Sequence, residues 1–502
     1  MTYLNPGVYT VETPLVNNVT RASTSQSIAT FIGTSTRGPI TASLINSWTG
    51  YKSLYGDISS DHEMGYSVYH YFANGGRDAY IVRVSASDAV ASSVSVPYYP
   101  NGESGASAAL MTATANSPGV WGNSVSLLIS SGSTSPTASV IPTFNLSIRV
   151  NGSEVERWNE LSTDPNNNRY AATVVNTYSK YISITVPSST ADADWLFDFN
   201  SITLTGGADG SSVGDSDYVS ALSSLDVIEG ALLINAPGQT SSTVVNAFTT
   251  KAESRGNSFV IIDPSSETDP VEIGSSVVST YSPSSYGAVY YPKLKMVDPT
   301  KSGPGAIRDT FPGGAIAGVY TRTEVARTVA KAPAGYDTDI RNALALTTNF
   351  TSSQTGTLYN TYGVNLLKSV PGGGIIVNGT RTLDKSTPGK YIPIRRSLNY
   401  LKQALKDATE FAVYSPNDQR LWEQIAFRCG NVLNEFWKAG GLKGRNPGQA
   451  YYVLCNETNN TVETISNGEV RVEVGVALQY PAEFVVITIS QWTGGANSVS
   501  SL

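Results

Sequence analysis

Two histidines, two cysteines and a scatter of carboxylates are the raw material for chemistry in this 502-residue chain. A nucleophile–imidazole–carboxylate triad needs His62 or His70, and their setting beside an aromatic-rich helical stretch predicts polar surface positions instead. His62-Glu63 lacks the second histidine that a zinc-protease helix requires. Asp192, Asp194 and Asp198 surround Trp195 and read either as a carboxylate pair for glycoside hydrolysis or as a solvated turn. Nothing nearby in the sequence supplies them with a positioned partner. Gly372-Gly373-Gly374 leads into the apolar run Ile375-Ile376-Val377, not into a helix. Gly389-Lys390 is followed by Tyr391, where a phosphate-binding loop needs Ser or Thr. Cys429 and Cys455 read as buried thiols of a chain made in a reducing compartment, with a disulfide between them as the alternative. The sequence thus predicts no catalytic centre, no metal and no cofactor.

Composition narrows the partners. Charged residues make up 15% of the chain and the formal charge is −7. With no run of Lys or Arg, that balance argues against nucleic-acid binding. No apolar run approaches the roughly 18–20 residues of a membrane span, so direct membrane insertion is not expected. Met1 to Gly7 shows neither a cationic nor an apolar leader region, so no signal peptide is read. The length suffices for several cores.

The elements follow from periodicity. Ile28 to Gly33 and Ala79 to Val84 read as short buried strands on either side of an aromatic helix, Glu63 to Phe72, closed by Asn74-Gly75-Gly76. Residues 85–201 are rich in Ser, Thr, Ala and Asn, with β-like runs at 125–129, 144–150 and 182–186. They read as a β-sandwich or barrel inserted into the first domain and re-entered at Leu204 to Gly210. From Asp217 to Leu383 helices and strands alternate, and the continuous apolar runs at 231–237 and 258–263 suit strands buried on both faces. After Arg395-Arg396, one helix places Leu398, Leu401, Leu405, Ala408 and Phe411 on one face, with Lys402, Lys406, Asp407 and Glu410 off it. Ser415 to Asp418 supplies N-cap oxygens to a second helix carrying Leu421, Trp422, Ile425, Cys429, Leu433 and Phe436. Three strands follow, at 451–455, 470–478 and 484–491.

These residues carry a resemblance. Ser415-Pro416-Asn417 before Leu421-Trp422, residues 440–444, Val453 to Asn460 and Pro481-Ala482-Glu483-Phe484 resemble the C-terminal domain of contractile-tail sheath proteins. Upstream, Asn74-Gly75-Gly76, Val82-Arg83-Val84, residues 115–123, Pro312-Gly313-Gly314, residues 331–335 and 374–383 recur in that family's order. Thr380 and residues 326–329 depart from the family pattern.

The resemblance implies a multidomain α/β and α+β fold. Its parts would be an N-terminal extended arm (1–22), a discontinuous α/β domain of subtilisin-like layout (23–92 and 206–385), an inserted β-rich outer domain (93–205), a C-terminal α+β tube-facing domain (386–484) and a C-terminal arm (485–502). It implies a structural subunit that stacks as hexameric rings around a tail tube and contracts to drive that tube through a host envelope. Partners would be further copies of the chain, the tube protein, and baseplate and tail terminator proteins. The location would be the tail of a virion assembled in the bacterial cytoplasm. Arm strands would use Pro6, Gly7, Val8, Tyr9 and Val11 at one end and Val485, Ile487 and Ile489 at the other, each adding to a sheet of a neighbour. Read without the family, the first of these is an edge strand of its own sheet. Lys402, Lys406, Asp407 and Glu410 would face the tube, or form a solvated helix face. A phage-like injection particle or tailocin is an alternative, and a glycan-binding tail adhesin a more distant one.

Overall fold

The computed structural model describes residues 27–483, apart from 101–107, 134–142, 188–194, 198–200, 266–269, 304, 373 and 387–388. Its centre is an eight-stranded sheet in the order Gly374–Asn378, Asn365–Val370, Gly287–Tyr291, Phe259–Ile262, Leu232–Asn235, Ile28–Gly33, Ala79–Arg83, Ser43–Ile45. The six inner strands run parallel, and each edge carries an antiparallel strand. Continuous apolar runs make this sheet because both faces are covered. On one face Phe31, Ile81, Leu233 and Tyr290 pack against Tyr51, Met64, Tyr71, Ile316 and Tyr320. On the other, Ile32, Val82, Ile234 and Val260 pack against Leu222, Val245 and Phe248. A large apolar side chain buried this way stabilises the fold by about 1.5–3 kcal/mol.

Helices Glu63–Ala73 and Gly313–Ala326 lie against one another on the first face. Gly318 permits the close approach: a Cβ there would sit 2.6 Å from the Tyr71 carbonyl oxygen. Crowding on that face also explains a departure from the sequence expectation. His70 is buried, not a polar surface residue, and neither ring nitrogen has a hydrogen-bond partner. Burial holds its pKa down to about 4, so it sits neutral in the core. His62 precedes the same helix, half-buried, with Nδ1 3.0 Å from the Thr34 hydroxyl.

Residues between the Ala79–Arg83 and Leu232–Asn235 strands form two four-stranded antiparallel sheets. One comprises Trp195–Phe197, Ser93–Pro100, Ala108–Ala115 and Ile182–Thr185; the other Ile202–Thr203, Val125–Ser131, Phe144–Val150 and Ser153–Leu161. Leu110, Ala113, Leu127, Phe144, Ile148 and Ile182 fill one core shared by both. The β-like runs at 125–129, 144–150 and 182–186 are therefore present as strands, the last ending at Thr185.

The C-terminal elements begin with helix Ile392–Thr409, which has Pro393 in its first turn, where a missing N–H costs nothing. Its first half is buried on the body, with Asn399 Nδ2 donating to the Ser258 carbonyl at 2.9 Å. Its second half meets helix Gln419–Lys438 through Leu401, Leu433 and Phe436. Asp418 caps that helix, its carboxylate accepting from the Leu421 N–H at 2.9 Å. Strands Tyr451–Leu454 and Glu473–Val476 pair antiparallel. The second is shorter than the predicted 470–478. The Asn460 side chain takes both backbone groups of Arg471 (2.7 and 3.0 Å), standing in for a strand partner there. The predicted third strand, 484–491, lies outside the described residues.

Candidate functional site

In an open parallel sheet, ligands bind beyond the carboxyl ends of the strands where the winding reverses. Here that point lies between Ile28–Gly33 and Leu232–Asn235, and the chain fills it with itself. Asp263, at the end of its strand, is fully buried; its carboxylate accepts from the Gly313 N–H at 2.8 Å and from Asn235 Nδ2 at 3.2 Å. A Cβ on Gly313 would come 2.7 Å from Asp263 Oδ2, so only glycine lets the backbone enter. Lys293 lies over the Phe311 ring at 3.8 Å, and Arg308 pairs with Glu63. A void of about 10 Å³ that touches Asp263 lies towards helix Ser242–Arg255, among Val244, Val245, Phe248 and Ile262. Burial raises the Asp263 pKa to about 6 against the hydrogen bonds that lower it. The crevice is a packed polar plug.

Other sequence candidates fall elsewhere. Asp192, Asp194 and Asp198 lie outside the described residues. Gly372 and Gly374 take positive φ (71° and 75°) in the turn between the Asn365–Val370 and Gly374–Asn378 strands, not at a phosphate site. Cys429 and Cys455 are both free and buried in one small core with Leu421, Trp422 and Ile425. Among the described residues, no group of three or more His, Cys, Asp or Glu side chains could hold a metal ion. None of the described helices is long and apolar enough to cross a membrane.

The polar investment lies around Glu483 and Ser27. At Glu483, the last described residue, Arg381 donates from Nε (2.7 Å) and Nη2 (2.6 Å) to the two carboxylate oxygens. Tyr359 and Thr380 donate to Oε1, and Tyr391 reaches Oε2 at 3.5 Å. The guanidinium also lies 4.6 Å over the Tyr359 ring. Arg381 and Glu483 side chains are 7% and 8% exposed. Burial pushes the Glu483 carboxyl up, but the bidentate Arg381 and the Tyr359 hydroxyl outweigh it and hold the pKa below its ordinary value. At the other end, Ser27, the first described residue, donates its N–H to Glu324 Oε1 at 3.2 Å. Arg396 Nη2 reaches Glu324 Oε2 (2.6 Å) and the Ser27 hydroxyl (3.3 Å). That pair is 3% and 7% exposed, with Arg396 4.6 Å over the Tyr320 ring. Removing one partner of such a pair leaves an unpaired buried charge and costs about 3–5 kcal/mol.

A groove of about 950 Å³ opens beside Glu483, with Arg327, Thr355, Gly379, Gly440 and Tyr480 on its walls. Lys402, Lys406 and Asp407 on the first C-terminal helix and Glu410 just past its end are all exposed, and Gln403 donates to Asp407 at 2.7 Å. The arm residues Pro6, Gly7, Val8, Tyr9, Val11, Val485, Ile487 and Ile489 lie outside the described residues. Sequence reasoning passed over Glu324 and Glu483 as site residues. The available signals were the Arg395-Arg396 pair and the recurring stretches around Arg381 and Glu483.

No family model matches the chain. Over 158 residues, 31% of its length, it is 25% identical to a tail sheath protein of Vibrio phage KVP40. The match spans 22% of that relative, about a fifth of its length. Solved structures are similar over nearly the whole chain. The sheath of an extracellular contractile injection system, PVC, in its contracted state has TM-score 0.58 and 20% identity, over 98% of this chain and 99% of that one. The contracted helical sheath of the anti-feeding prophage gives 0.58 and 18%, over 98% and 100%. A sheath tail protein of Listeria innocua gives 0.61 and 14%, over 90% and 95%. With its mixed α/β multidomain architecture, the chain has the fold of the sheath proteins of contractile tails and injection systems.

Proposed function

We propose that the chain is the structural sheath subunit of a contractile tail and does no catalysis. Copies join head-to-tail through heterologous contacts, which generate rings and open helical stacks, here hexameric rings around a tail tube. Contraction is a rigid-body change between two packings that drives the tube through an envelope, with the energy stored at assembly. The observation that carries the reading is the likeness to sheath proteins over nearly the full chain. The two buried Arg–Glu pairs add support, because a strand shared with a neighbour is useful only if its root is fixed.

In this reading residues 1–22 and 485–502 are arms that add to sheets of neighbours. The body is 23–92 with 206–385 in a subtilisin-like layout, 93–205 face outward, and 386–484 face the tube. Lys402, Lys406, Asp407 and Glu410 are the tube-facing candidates. Tube, baseplate and terminator proteins are the partners, and the tail of a particle assembled in the bacterial cytoplasm is the location. A phage-like injection particle is the second reading, favoured by the likeness to contractile injection system sheaths. Electron microscopy of the chain expressed alone, then with the tube protein, tests the proposal: hollow striated tubes are expected. Discrete monomers even with tube protein present would overturn it. Deleting Met1 to Pro14 should leave soluble protein that forms no tubes, and normal tubes from that truncation would remove the arm from the account.

A further inference from the structure

Ser27 and Glu483 are held by the same short stretch of polypeptide. Arg381 holds Glu483 and Arg396 holds Glu324 with Ser27. Between the two arginines the chain folds back on itself: Thr382 N–H donates to the Lys390 carbonyl (3.0 Å) and Ile392 N–H to the Thr380 carbonyl (2.9 Å), with Arg381 and Tyr391 bridged antiparallel. Tyr391 then leads straight into the Ile392–Thr409 helix, accepting from the Arg395 N–H at 3.1 Å, so Arg396 sits in that helix's opening turns. The Tyr391 hydroxyl meanwhile reaches Glu483. A continuous series of hydrogen bonds and one rigid helix start thus joins Ser27 to Glu483. It bypasses the two sheets at 93–203.

We propose that residues 380–386 and 389–396 form a yoke that positions Ser27 and Glu483 as one unit, with Arg381 and Arg396 as its two positioning residues. Its use in a sleeve rests on the sheath reading; the coupling itself does not. When Ser27 or Glu483 is displaced, the yoke moves and the other follows, so a subunit passes motion from one neighbour to the next without deforming the two sheets at 93–203. Coupling of this kind is reciprocal: loosening either end must loosen the other.

Hydrogen exchange on the unassembled full-length chain reads this directly. Glu483→Gln keeps the shape of the C-terminal contact and removes its charge. Exchange is expected to speed by about tenfold in peptides covering 380–396 and also in those covering 27–33 at the far end, while 144–161 stay protected. Glu324→Gln should in turn speed exchange at 479–483. Tyr391→Phe, which removes one hydroxyl, should loosen both ends in the same direction by less, and serves if either charge variant fails to fold. Changes confined to one of the two sites, in either charge variant or in Tyr391→Phe, would overturn the yoke. Tube formation is scored separately, so absent tubes with intact coupling would count against the sheath reading alone.

Discussion

Glu483 and Asp263 are both carboxylates withdrawn from water, and they have opposite fates. Glu483 meets a bidentate guanidinium and two hydroxyls, and its pKa falls. Asp263 meets a side-chain amide and backbone N–H groups but no cation within bonding reach, and burial lifts its pKa to about 6. The first is a tether, costly to break because its partner is also buried. The second is a peg that closes the crevice where related sheet topologies hold ligands. Charge is paired where the chain must hold on, and merely accommodated where it must fill space.

The largest test of that contrast is Glu483→Ala. It strands the Arg381 guanidinium and should cost about 3–5 kcal/mol, read as a fall in thermal midpoint. An unchanged midpoint would mean that Arg381 finds water once its partner is gone. His70 extends the comparison to a base. Its pKa is about 4 folded against the ordinary 6.5, so the unfolded chain binds the proton first. Stability is therefore intact above pH 6.5 and is lost as pH falls towards 4, by about 3 kcal/mol in full. His70→Leu should flatten that acid slope in urea titrations at pH 7 and pH 4.5, and a slope as steep as before would assign the acid lability elsewhere.

What the sequence disclosed follows the range of each interaction. Strands Ile28–Gly33 and Phe259–Ile262 are legible because an uninterrupted apolar run needs two covered faces. Helix Gln419–Lys438 is legible from Asp418 and the spacing of Leu421, Ile425, Cys429 and Phe436, all of them buried. The anchors are a different case. Arg381 and Glu483 are 102 residues apart and Arg396 and Glu324 are 72 apart, so no local pattern couples them. His70 misled for a related reason. Its helix has a polar residue where a solvent face is expected, but both sheet and neighbouring helix crowd that turn. The shortened Glu473–Val476 strand depends on one side chain, Asn460, replacing a backbone partner, which alternation of Val and charged residues does not reveal.

The peg makes an opposite prediction to the tether. Folded Asp263 takes up its proton near pH 6 and the unfolded chain near 3.8, so between those values the folded state holds more protons. Stability falls as pH rises through that window and stays lowered above it, by up to about 3 kcal/mol. Asp263→Asn keeps an acceptor for the Gly313 N–H and removes the charge. It should be neutral to stabilising at pH 7.5 and should lose that advantage near pH 4. A clear destabilisation at neutral pH would mean that the ionised carboxylate is required, and the peg would have to be regarded as a second tether.

The smallest effect belongs to an ion pair that is neither. Lys52 Nζ and Asp57 Oδ2 are only 2.7 Å apart, as close as the anchors, but their side chains are 43% and 68% exposed. Water already stabilises both charges, so Lys52→Met should change stability by no more than about 1 kcal/mol. Raising the salt should erase even that, because exposed charges are screened over about 10 Å at 0.1 M and far less at 1 M. The Arg381–Glu483 pair, shielded from ions, should keep its full effect in the same titration. If the two pairs instead lost stability alike as salt rose, distance alone would govern their strength. Burial would then be irrelevant to how Glu483 is held, and the contrast between tether and peg would fail at its base.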